Sequence, residues 1–305
     1  MTKKLPRIVA IVGPTATGKS DLAVAIARRF DGEVISADSR QVYRSLDIGA
    51  GKITRREMKG VPHHLLDVAN PKGDRYTVEK FKRDGAAALA DILSRGKLPI
   101  ICGGTGFYID ALIWDEQFPA VPPNKALRAK LAKKSAEALM RELKRLDPRR
   151  AKTMDPHNKV RIIRAIEIAH ALGEVPKQKR IQRYETLFIG LETDKEMLRK
   201  RIHDRLMKRM RGEKMLREVE SLRKKGVSWK RLHDFGLEYR YLALILQEKS
   251  SKEAALAALE QDIAHFAKRQ MTWFRRNPDI RWFPLGSAQK IEREVNGFIS
   301  SDEAE

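Results

Sequence analysis

The chain has 305 residues, of which 42% are hydrophobic, enough for one sizeable core or for a core with a smaller satellite domain. No apolar run reaches the ~18 residues of a membrane span. The single cysteine, Cys102, excludes an internal disulfide and a cysteine-based zinc site, as suits a reducing cytoplasm. The excess of 62 Lys and Arg over 40 Asp and Glu, a net charge of +22, favours a nucleic acid partner over a merely solvated basic surface.

Short apolar runs alternate with helical patterns through the first 110 residues. The runs at 7–12, 33–37 and 98–102 predict buried parallel strands, and the segments 19–30 and 78–94 predict helices. The first run leads directly into a glycine-rich loop, so we predict a strand there rather than a signal peptide. This alternation predicts an α/β fold with a doubly wound, P-loop NTPase-like parallel sheet.

The loop after the first predicted strand carries the most specific motif of the chain. Its sequence, G-P-T-A-T-G-K-S, matches G-x-x-x-x-G-K-[ST] in full and lies between a strand and a helix, as the motif requires. We expect backbone N–H groups and the helix N-terminus to bind phosphate, Lys19 to add a positive charge and Ser20 to hold Mg²⁺. The predicted phosphate-binding residues are Gly13, Pro14, Thr15, Ala16, Thr17, Gly18, Lys19 and Ser20. The loop alone indicates a di- or triphosphate compound without identifying it.

Two further segments should reach the same crevice, because the carboxyl ends of parallel strands share one edge of the sheet. Asp38 follows the second predicted strand and can act either as a general base or as a structural residue that caps a turn or orients Mg²⁺. The turn Gly103–Gly106 follows the third predicted strand, where the Thr105 hydroxyl can orient a ligand, although helix ends favour glycine without any ligand. His63 and His64 are adjacent, so on a strand they point to opposite faces and cannot chelate one ion from one face.

The pattern changes after Trp114, where a proline-rich connector leads into a long helical stretch. Residues 125–183 contain 18 basic and 6 acidic residues and no predicted strand, and strand character returns at 186–191. More than half of the positive excess lies in this stretch, which is therefore the expected nucleic-acid-binding element. We predict three segments: the first part of the α/β core at 1–119, a basic all-helical insertion at 120–183, and the second part of the core with C-terminal helices at 184–305.

Two capping patterns predict where the later helices begin. Thr193 with Glu196 fits one capping box, and Ser250 with Glu253 fits another that opens a long helix running to about Arg276. A last strand is predicted at 281–284.

Basic side chains recur on these later helices. Arg201, Arg205 and Arg209 are spaced every four residues and form a stripe, from which one side chain can reach a diphosphate. The alternative is a solvated stripe paired with Asp204 or Glu213. Trp273 shares a face with two arginines, and core packing and contact with RNA are equally good interpretations of it.

Taken in order along the chain, these segments resemble the tRNA dimethylallyltransferase family, also called the tRNA isopentenyltransferases. The resemblance runs from about Arg7 to Phe283. It rests on G-P-T-A-T-G-K-S, D-S-R-Q-V-Y-R-S-L-D-I-G, V-P-H-H-L-L-D, G-G-T-G-F-Y-I, D-P-H-N-K-V-R-I-I-R-A-I-E, F-G-L-E-Y-R and A-K-R-Q-M-T-W-F-R. It implies transfer of a dimethylallyl group from dimethylallyl diphosphate to N6 of the adenosine immediately 3′ of the tRNA anticodon, adenosine 37.

The resemblance also implies roles for individual residues. The loop 13–20 binds the diphosphate leaving group with Mg²⁺, Asp38 is the general base, and Thr105 and Arg205 are further catalytic residues. The implied tRNA-binding residues are Asp38, Ser39, Arg40, Gln41, Gly106, Arg128, Val160, Arg161, Ile162, Ile163, Arg164, Phe235, Gly236, Leu237, Glu238, Tyr239 and Arg240. We therefore expect a cytoplasmic monomer, without membrane attachment, whose insertion binds the anticodon stem-loop.

The chain departs from the family pattern at two places, and other functions stay open. Gly51 stands where the family more often has alanine, and the segment around Gly212 has a different spacing. A cysteine-rich zinc finger is absent, which favours the bacterial or organellar form. The alternatives are an adenylate isopentenyltransferase, a P-loop small-molecule kinase, or a P-loop RNA-binding ATPase without group transfer. The basic insertion counts against the first two.

Overall fold

Six parallel strands form a single sheet within residues 5–73, 75–177 and 180–301, which the computed structural model describes. The strands are β1 (Arg7–Val12), β2 (Gly32–Ser36), β3 (His63–His64), β4 (Leu98–Cys102), β5 (Glu185–Glu192) and β6 (Arg281–Pro284). Their spatial order is β3-β2-β4-β1-β5-β6. Val9 of β1 lies opposite Ile100 of β4 and Leu187 of β5. The predicted α/β fold with a P-loop NTPase-like parallel sheet is confirmed.

The helices of the first compact unit are α1 (Lys19–Arg29), α2 (Arg55–Met58), α3 (Val78–Ser94), α4 (Gly106–Ile113), α9 (Lys195–Met210), α10 (Lys214–Lys224), α11 (Trp229–Phe235), α12 (Leu237–Leu246), α13 (Lys252–Phe274) and α14 (Ala288–Ser300). Some of them cover the two faces of the sheet. Side chains alternate along β1, so Ile8 packs with α3 and α4 on one face while Ile11 packs with α1 and α14 on the other. Both faces are therefore dry, which explains why the central strands are continuously apolar in sequence.

A third apolar cluster joins the later helices to the segment that follows β2. Val42, Tyr43 and Leu46 pack among buried side chains of α9 to α13. The loop after β2 is thereby fixed to elements more than 150 residues away in the sequence. No helix in the described part of the chain is both long enough and apolar enough to cross a membrane.

Residues Glu116–Ile181 form a second compact unit, and the rest of the chain forms the first. Its helices are α5 (Lys125–Ala132), α6 (Ala136–Leu146), α7 (Pro148–Lys152) and α8 (Lys159–Leu172). They enclose an apolar cluster that includes Leu131, Leu139 and Ile166. This second unit, called the helical unit below, has a core of its own.

Two predicted capping residues are wrong by one position. The N-cap of α9 is Asp194, whose side chain accepts a hydrogen bond from the Met197 N–H at 2.8 Å, rather than Thr193. The N-cap of α13 is Ser251 rather than Ser250. In both cases two neighbouring residues are able to cap the helix, and burial of the apolar helix face decides between them.

A buried carboxylate organises the helical unit. Glu167 is only 2% exposed. Its carboxylate accepts a hydrogen bond from the Asn124 N–H and three hydrogen bonds, 2.5–2.9 Å long, from the guanidinium groups of Arg128 and Arg164. Burial raises the pKa of Glu167, but the hydrogen bonds from Arg128, Arg164 and the Asn124 N–H together outweigh burial, and the pKa is lowered. The carboxylate therefore stays charged and ties the start of α5 to α8.

We expect Glu167→Gln to destabilise the helical unit by about 2 kcal/mol, because it leaves two guanidinium groups without a counter-charge. Hydrogen exchange of the α5 and α8 amides should become about 30-fold faster. The matched control is Glu137→Gln, at an exposed carboxylate in the first turn of α6. Equal exchange rates in the two variants would contradict the structural role of Glu167.

Candidate active site

A cavity of about 340 Å³ opens at the carboxyl ends of β1, β2 and β4. Its walls come from segments far apart in sequence: the loop after β1, the turn after β2, residues 49–53, the turn after β4, and one face each of α9, α12 and α13. The sheet brings the loop after β1, the turn after β2 and the turn after β4 together, because parallel strands all end at this edge. All of these segments belong to the first unit.

The loop 13–20 has the backbone conformation that its glycines predict. Gly13 has φ 137°, and a Cβ there would lie 2.5 Å from the Leu191 carbonyl oxygen, so only glycine fits. Thr17 donates from its hydroxyl to the Pro14 carbonyl at 2.9 Å, and the Lys19 ammonium donates to the same carbonyl at 2.6 Å. Helix α1 begins at Lys19, and Ser20 lines the cavity. Residues of the loop and the N-terminus of α1 thus line one space, as a phosphate site requires.

The arginine stripe of α9 lies against this loop. Arg201 donates to the Ala16 carbonyl at 2.7 Å, Arg205 donates to the Thr15 hydroxyl at 2.5 Å, and all three stripe arginines line the cavity. Arg209 lies 3.9 Å from the carboxylate of Glu238. Arg205 and Arg209 are half-buried rather than solvated, whereas Arg201 is exposed. That one side chain of the stripe reaches a diphosphate stays a prediction.

Burial of Lys19 and Arg205 favours an anion in this cavity. Burial lowers the pKa of Lys19 to about 8, and the nearby Arg205 lowers it further, while Cys102 and Asp38 act in the opposite direction. Burial also lowers the pKa of Arg205 to about 10, with a further contribution from Arg209. The cations repel one another where water cannot fully screen them, so a bound polyanion would relieve the repulsion.

Asp38 lies at the start of the turn after β2, across from the phosphate loop. Its Oδ1 accepts hydrogen bonds from the N–H groups of Arg40 at 2.7 Å and Gln41 at 3.2 Å. Among the residues that the structure describes, none donates a hydrogen bond to Oδ2. The two interpretations of Asp38 are therefore compatible, because one oxygen shapes the turn and the other is available to a substrate.

Thr105 connects the turn after β4 to the turn that carries Asp38. Its hydroxyl accepts a hydrogen bond from the Ser39 N–H at 3.1 Å, and its own N–H donates to the Ala37 carbonyl at 3.1 Å. Gly103 packs so closely on the Ala37 backbone that a Cβ would overlap it. Thr105 thus holds the Asp38 turn in place in addition to lining the cavity.

The predicted tRNA-binding residues of the first unit lie in several different environments. Those that line the cavity are Asp38, Ser39, Arg40, Gln41, Leu237 and Glu238. Gly236 is half-buried and has φ 73°. Phe235 and Tyr239 are core residues, each at most 2% exposed, and Arg240 is exposed. Gly106 packs against Trp273, whose indole N–H donates to Asp110 at 3.1 Å, so packing explains this glycine. Contact of these residues with RNA stays a prediction.

The predicted tRNA-binding residues of the helical unit differ in their surroundings. Val160 is 77% exposed and Arg161 is exposed, whereas Ile162 is buried and Ile163 is half-buried. Arg128 and Arg164 bind Glu167, but their side chains remain 41% and 32% exposed. Val160 and Arg161 are therefore the most accessible of the group.

The two histidines have different partners. The His63 ring lies 2.9 Å from the Val61 carbonyl and lines the cavity, and burial lowers its pKa. The His64 ring lies 2.7 Å from the carboxylate of buried Glu33. His64 is thereby part of the sheet edge rather than of the cavity.

Two polar residues of the site were not predicted from the sequence. Glu218 of α10 accepts hydrogen bonds from the N–H groups of residues 47–49 at 2.6–3.0 Å and from the Tyr239 hydroxyl at 2.9 Å. Gln270 of α13 contacts both the phosphate loop and the turn after β4. Each lies on the otherwise apolar face of an amphipathic helix, and a polar residue at such a position is the signal that could have identified it.

Comparison with known proteins places this chain in a defined family. The family model described as IPP transferase matches residues 41–277, and the one described as isopentenyl transferase matches residues 6–73. The tRNA dimethylallyltransferase of Geobacillus thermodenitrificans is 39% identical over 97% of this chain and 95% of its own length. The tRNA dimethylallyltransferase 2 of Trichlorobacter lovleyi is 42% identical over 96% of this chain and 97% of its own.

Solved structures agree with these relatives. The tRNA isopentenylpyrophosphate transferase of Bacillus halodurans has a TM-score of 0.74 at 32% identity, with 98% of each chain covered. A eukaryotic dimethylallyltransferase acting on tRNA has a TM-score of 0.83 at 25% identity, with 97% of this chain and 80% of that chain covered.

The lowered pKa of Lys19 predicts a pH dependence of inorganic diphosphate binding. Below a pH of about 8 the ammonium is charged before and after binding, so binding takes up no proton there. Above that pH, Lys19 is neutral in the protein without diphosphate, and binding of the anion makes it take up a proton. Because binding then consumes a proton, the affinity should fall by up to about tenfold per pH unit. Calorimetry in metal-free buffer between pH 7 and 10 measures this.

Lys19→Arg is the matched variant, because the guanidinium stays charged over this range. The ratio of wild-type to variant affinity cancels the ionisation of diphosphate itself. A ratio that does not change between pH 7 and 10 would show that Lys19 does not titrate in the empty site.

Proposed function

This chain belongs to the tRNA dimethylallyltransferase family, and we propose that it transfers a dimethylallyl group from dimethylallyl diphosphate to N6 of the adenosine 3′ of the tRNA anticodon. The products are N6-isopentenyladenosine and diphosphate. One observation carries the proposal: a phosphate loop flanked by the α9 arginines shares a cavity with the carboxylate of Asp38. A leaving-group site and a proton acceptor thus face one space.

The leaving group takes the electron pair of the breaking C–O bond. The allylic cation that develops is delocalised, so the barrier depends on stabilising negative charge on the diphosphate. Lys19, Arg205 and the N-terminus of α1 are positioned beforehand to do this. Removal of a single such donor typically costs about 10²–10³ in rate.

The acceptor is an exocyclic amine, which is a weak nucleophile. As the new C–N bond forms, the N6 nitrogen must lose a proton, and Oδ2 of Asp38 is the oxygen available to accept it. General base catalysis of this kind contributes about 10²–10⁴ in rate. The N–H groups of Arg40 and Gln41 on Oδ1 stabilise the carboxylate and fix its orientation.

Mg²⁺ fits this site only together with a phosphate ligand. No group of three or more His, Cys, Asp or Glu side chains suited to a metal occurs among the described residues. Ser20, whose side chain lines the cavity, is the residue that would hold the ion beside the diphosphate oxygens. When bound, Mg²⁺ would neutralise part of the leaving group's charge.

The helical unit is the proposed binding element for the anticodon stem-loop. Within the described ranges, Lys130, Arg145, Lys152 and Arg161 form no ion pair, so their charges are available to phosphates. The target base must leave the loop stack, which costs a few kcal/mol, and contacts to the RNA backbone can offset that cost. We further propose that the protein acts as a cytoplasmic monomer.

The rival functions are not favoured. The relatives that cover nearly the whole chain are tRNA-modifying enzymes, rather than adenylate isopentenyltransferases, kinases or ATPases. Incubation with γ-labelled ATP and candidate acceptors would separate the kinase from the prenyltransferase.

We expect deletion of the gene to abolish N6-isopentenyladenosine in tRNA, and wild-type protein to restore it. Asp38→Asn keeps an acceptor for the turn N–H groups but removes the base, so it should lower kcat by about 10²–10⁴ with little change in KM. Nucleoside mass analysis and kinetics with purified tRNA measure the two effects.

The matched acid-to-amide control is Asp91→Asn, on the exposed surface of α3. Unchanged N6-isopentenyladenosine after deletion would overturn the proposed function. Full activity of Asp38→Asn would overturn only the role of this carboxylate.

Affinity for tRNA should weaken steeply with salt, since phosphate contacts release counterions. Neutralising one contact, as in Arg161→Gln, should reduce the slope of log K against log[salt] by about 0.7–0.9. The control is Lys97→Gln. Lys97 directly precedes β4, so it lies at the amino ends of the strands, whereas the cavity lies at their carboxyl ends, and it pairs with Asp31. Identical slopes for all three proteins would exclude Arg161 as a phosphate contact.

A further inference from the structure

Gln270 joins two walls of the cavity through its side-chain amide. Its Oε1 accepts a hydrogen bond from the Thr15 N–H at 2.9 Å, and its Nε2 donates to the Gly104 carbonyl at 2.9 Å. The residue is only 5% exposed, so neither bond is readily replaced by water. A Cβ at position 104 would overlap the amide, which explains the glycine there.

Further hydrogen bonds connect each of the two partners of Gln270 to a group that we propose takes part in the reaction. On one side, Thr15 belongs to the phosphate loop and its hydroxyl accepts a hydrogen bond from Arg205. On the other side, Gly104 precedes Thr105, whose hydroxyl accepts the Ser39 N–H next to Asp38. Gln270 is therefore the link between the side of the cavity that holds the leaving group and the side that holds the base.

Helix α13 is a firm support for such a link. Ile263, Ala267 and Phe274, which share a helix face with Gln270, are at most 3% exposed. Trp273, three residues after Gln270, donates its indole N–H to Asp110 of α4 and packs on Gly106. The amide is consequently held by a packed helix rather than by a mobile loop.

We infer that Gln270 is a positioning residue that sets the spacing between the bound diphosphate and the carboxylate of Asp38. The inference rests on the proposed function, because spacing matters only if both groups act in one reaction. In-line displacement needs the allylic carbon between leaving group and nucleophile, and an error of about 1 Å can cost on the order of 10²-fold in rate.

The chemistry of an amide makes the role specific. One planar group supplies an acceptor to Thr15 and a donor to Gly104, which neither leucine nor an ionised carboxylate can do. A protonated carboxylic acid can do both. Gln270→Glu should therefore restore the bridge when it is protonated and break it when it is ionised.

The test compares Gln270→Leu and Gln270→Glu with wild type in single-turnover prenylation of tRNA. We expect Gln270→Leu to be about 10–100-fold slower at saturating substrates, with diphosphate affinity changed less than about threefold. For Gln270→Glu, the rate relative to wild type should rise as the pH falls from 8 to 5.5 and approach that of wild type. Gln261→Glu, at an exposed position on the same helix, is the control and should show no such recovery.

The ratio to wild type is needed because other titratable groups face the same cavity. They are Lys19 and Asp21 from α1, Asp38 and Arg40 from the turn after β2, His63 from β3, Cys102 from β4, Arg201, Arg205 and Arg209 from α9, and Glu238 from α12. These groups are present in wild type and variant alike, so their titration largely cancels in the ratio.

The outcomes separate the inference from the proposed function. A wild type that does not prenylate tRNA contradicts the proposed function. An active wild type with a Gln270→Leu rate within threefold, or a Gln270→Glu ratio independent of pH, overturns the inference. If thermal unfolding shows that Gln270→Leu is not folded, the nearly isosteric Gln270→Glu decides alone.

Discussion

Positive charge held in a partly dehydrated cavity is the constraint on which this site depends. Burial lowers the pKa of Lys19, Arg205 and Arg209, so each charged group is less stable there than in water. The hydrogen-bond partners of Lys19 and Arg205 in the cavity are a carbonyl and a hydroxyl oxygen, which do not neutralise charge. The apolar packing of α9 and the sheet keeps the cations together despite this cost. An anion that enters, or gains charge during reaction, is stabilised without rearrangement of the protein.

The loop between residues 47 and 51 shows how distant contacts complete the cavity. Its N–H groups bind Glu218, the Ala50 N–H donates to the Tyr239 hydroxyl at 3.1 Å, and Gln41 donates to the Gly51 carbonyl at 3.2 Å. The loop has no strand or helix of its own to hold it. Side chains from α10 and α12 therefore take the place of secondary structure, and the later helices are as necessary to the cavity as the sheet.

Short sequence patterns predicted most strands of the sheet and the crevice at the carboxyl ends of the strands. The apolar runs at 7–12 and 98–102 coincide with β1 and β4, because strands buried on both faces are continuously apolar. The strand predicted at 281–284 coincides with the edge strand β6. The helix starts at Asp194 and Ser251 could not be fixed, since adjacent capping residues compete and packing decides. Glu218 and Gln270 could not be assigned either, because their partners lie about 170 and 255 residues away.

Arg205 and Arg209 lie one helical turn apart, yet their surroundings give them different roles. Gly51 has φ 59°, and a Cβ there would overlap the guanidinium of Arg209. The absence of that atom lets Arg209 lie beside the Gly49 carbonyl and near the half-buried carboxylate of Glu238. Arg205, in contrast, donates to the neutral hydroxyl of Thr15 in the phosphate loop. The charge of Arg209 is therefore partly balanced within the protein, whereas Arg205 contacts the proposed diphosphate-binding loop directly.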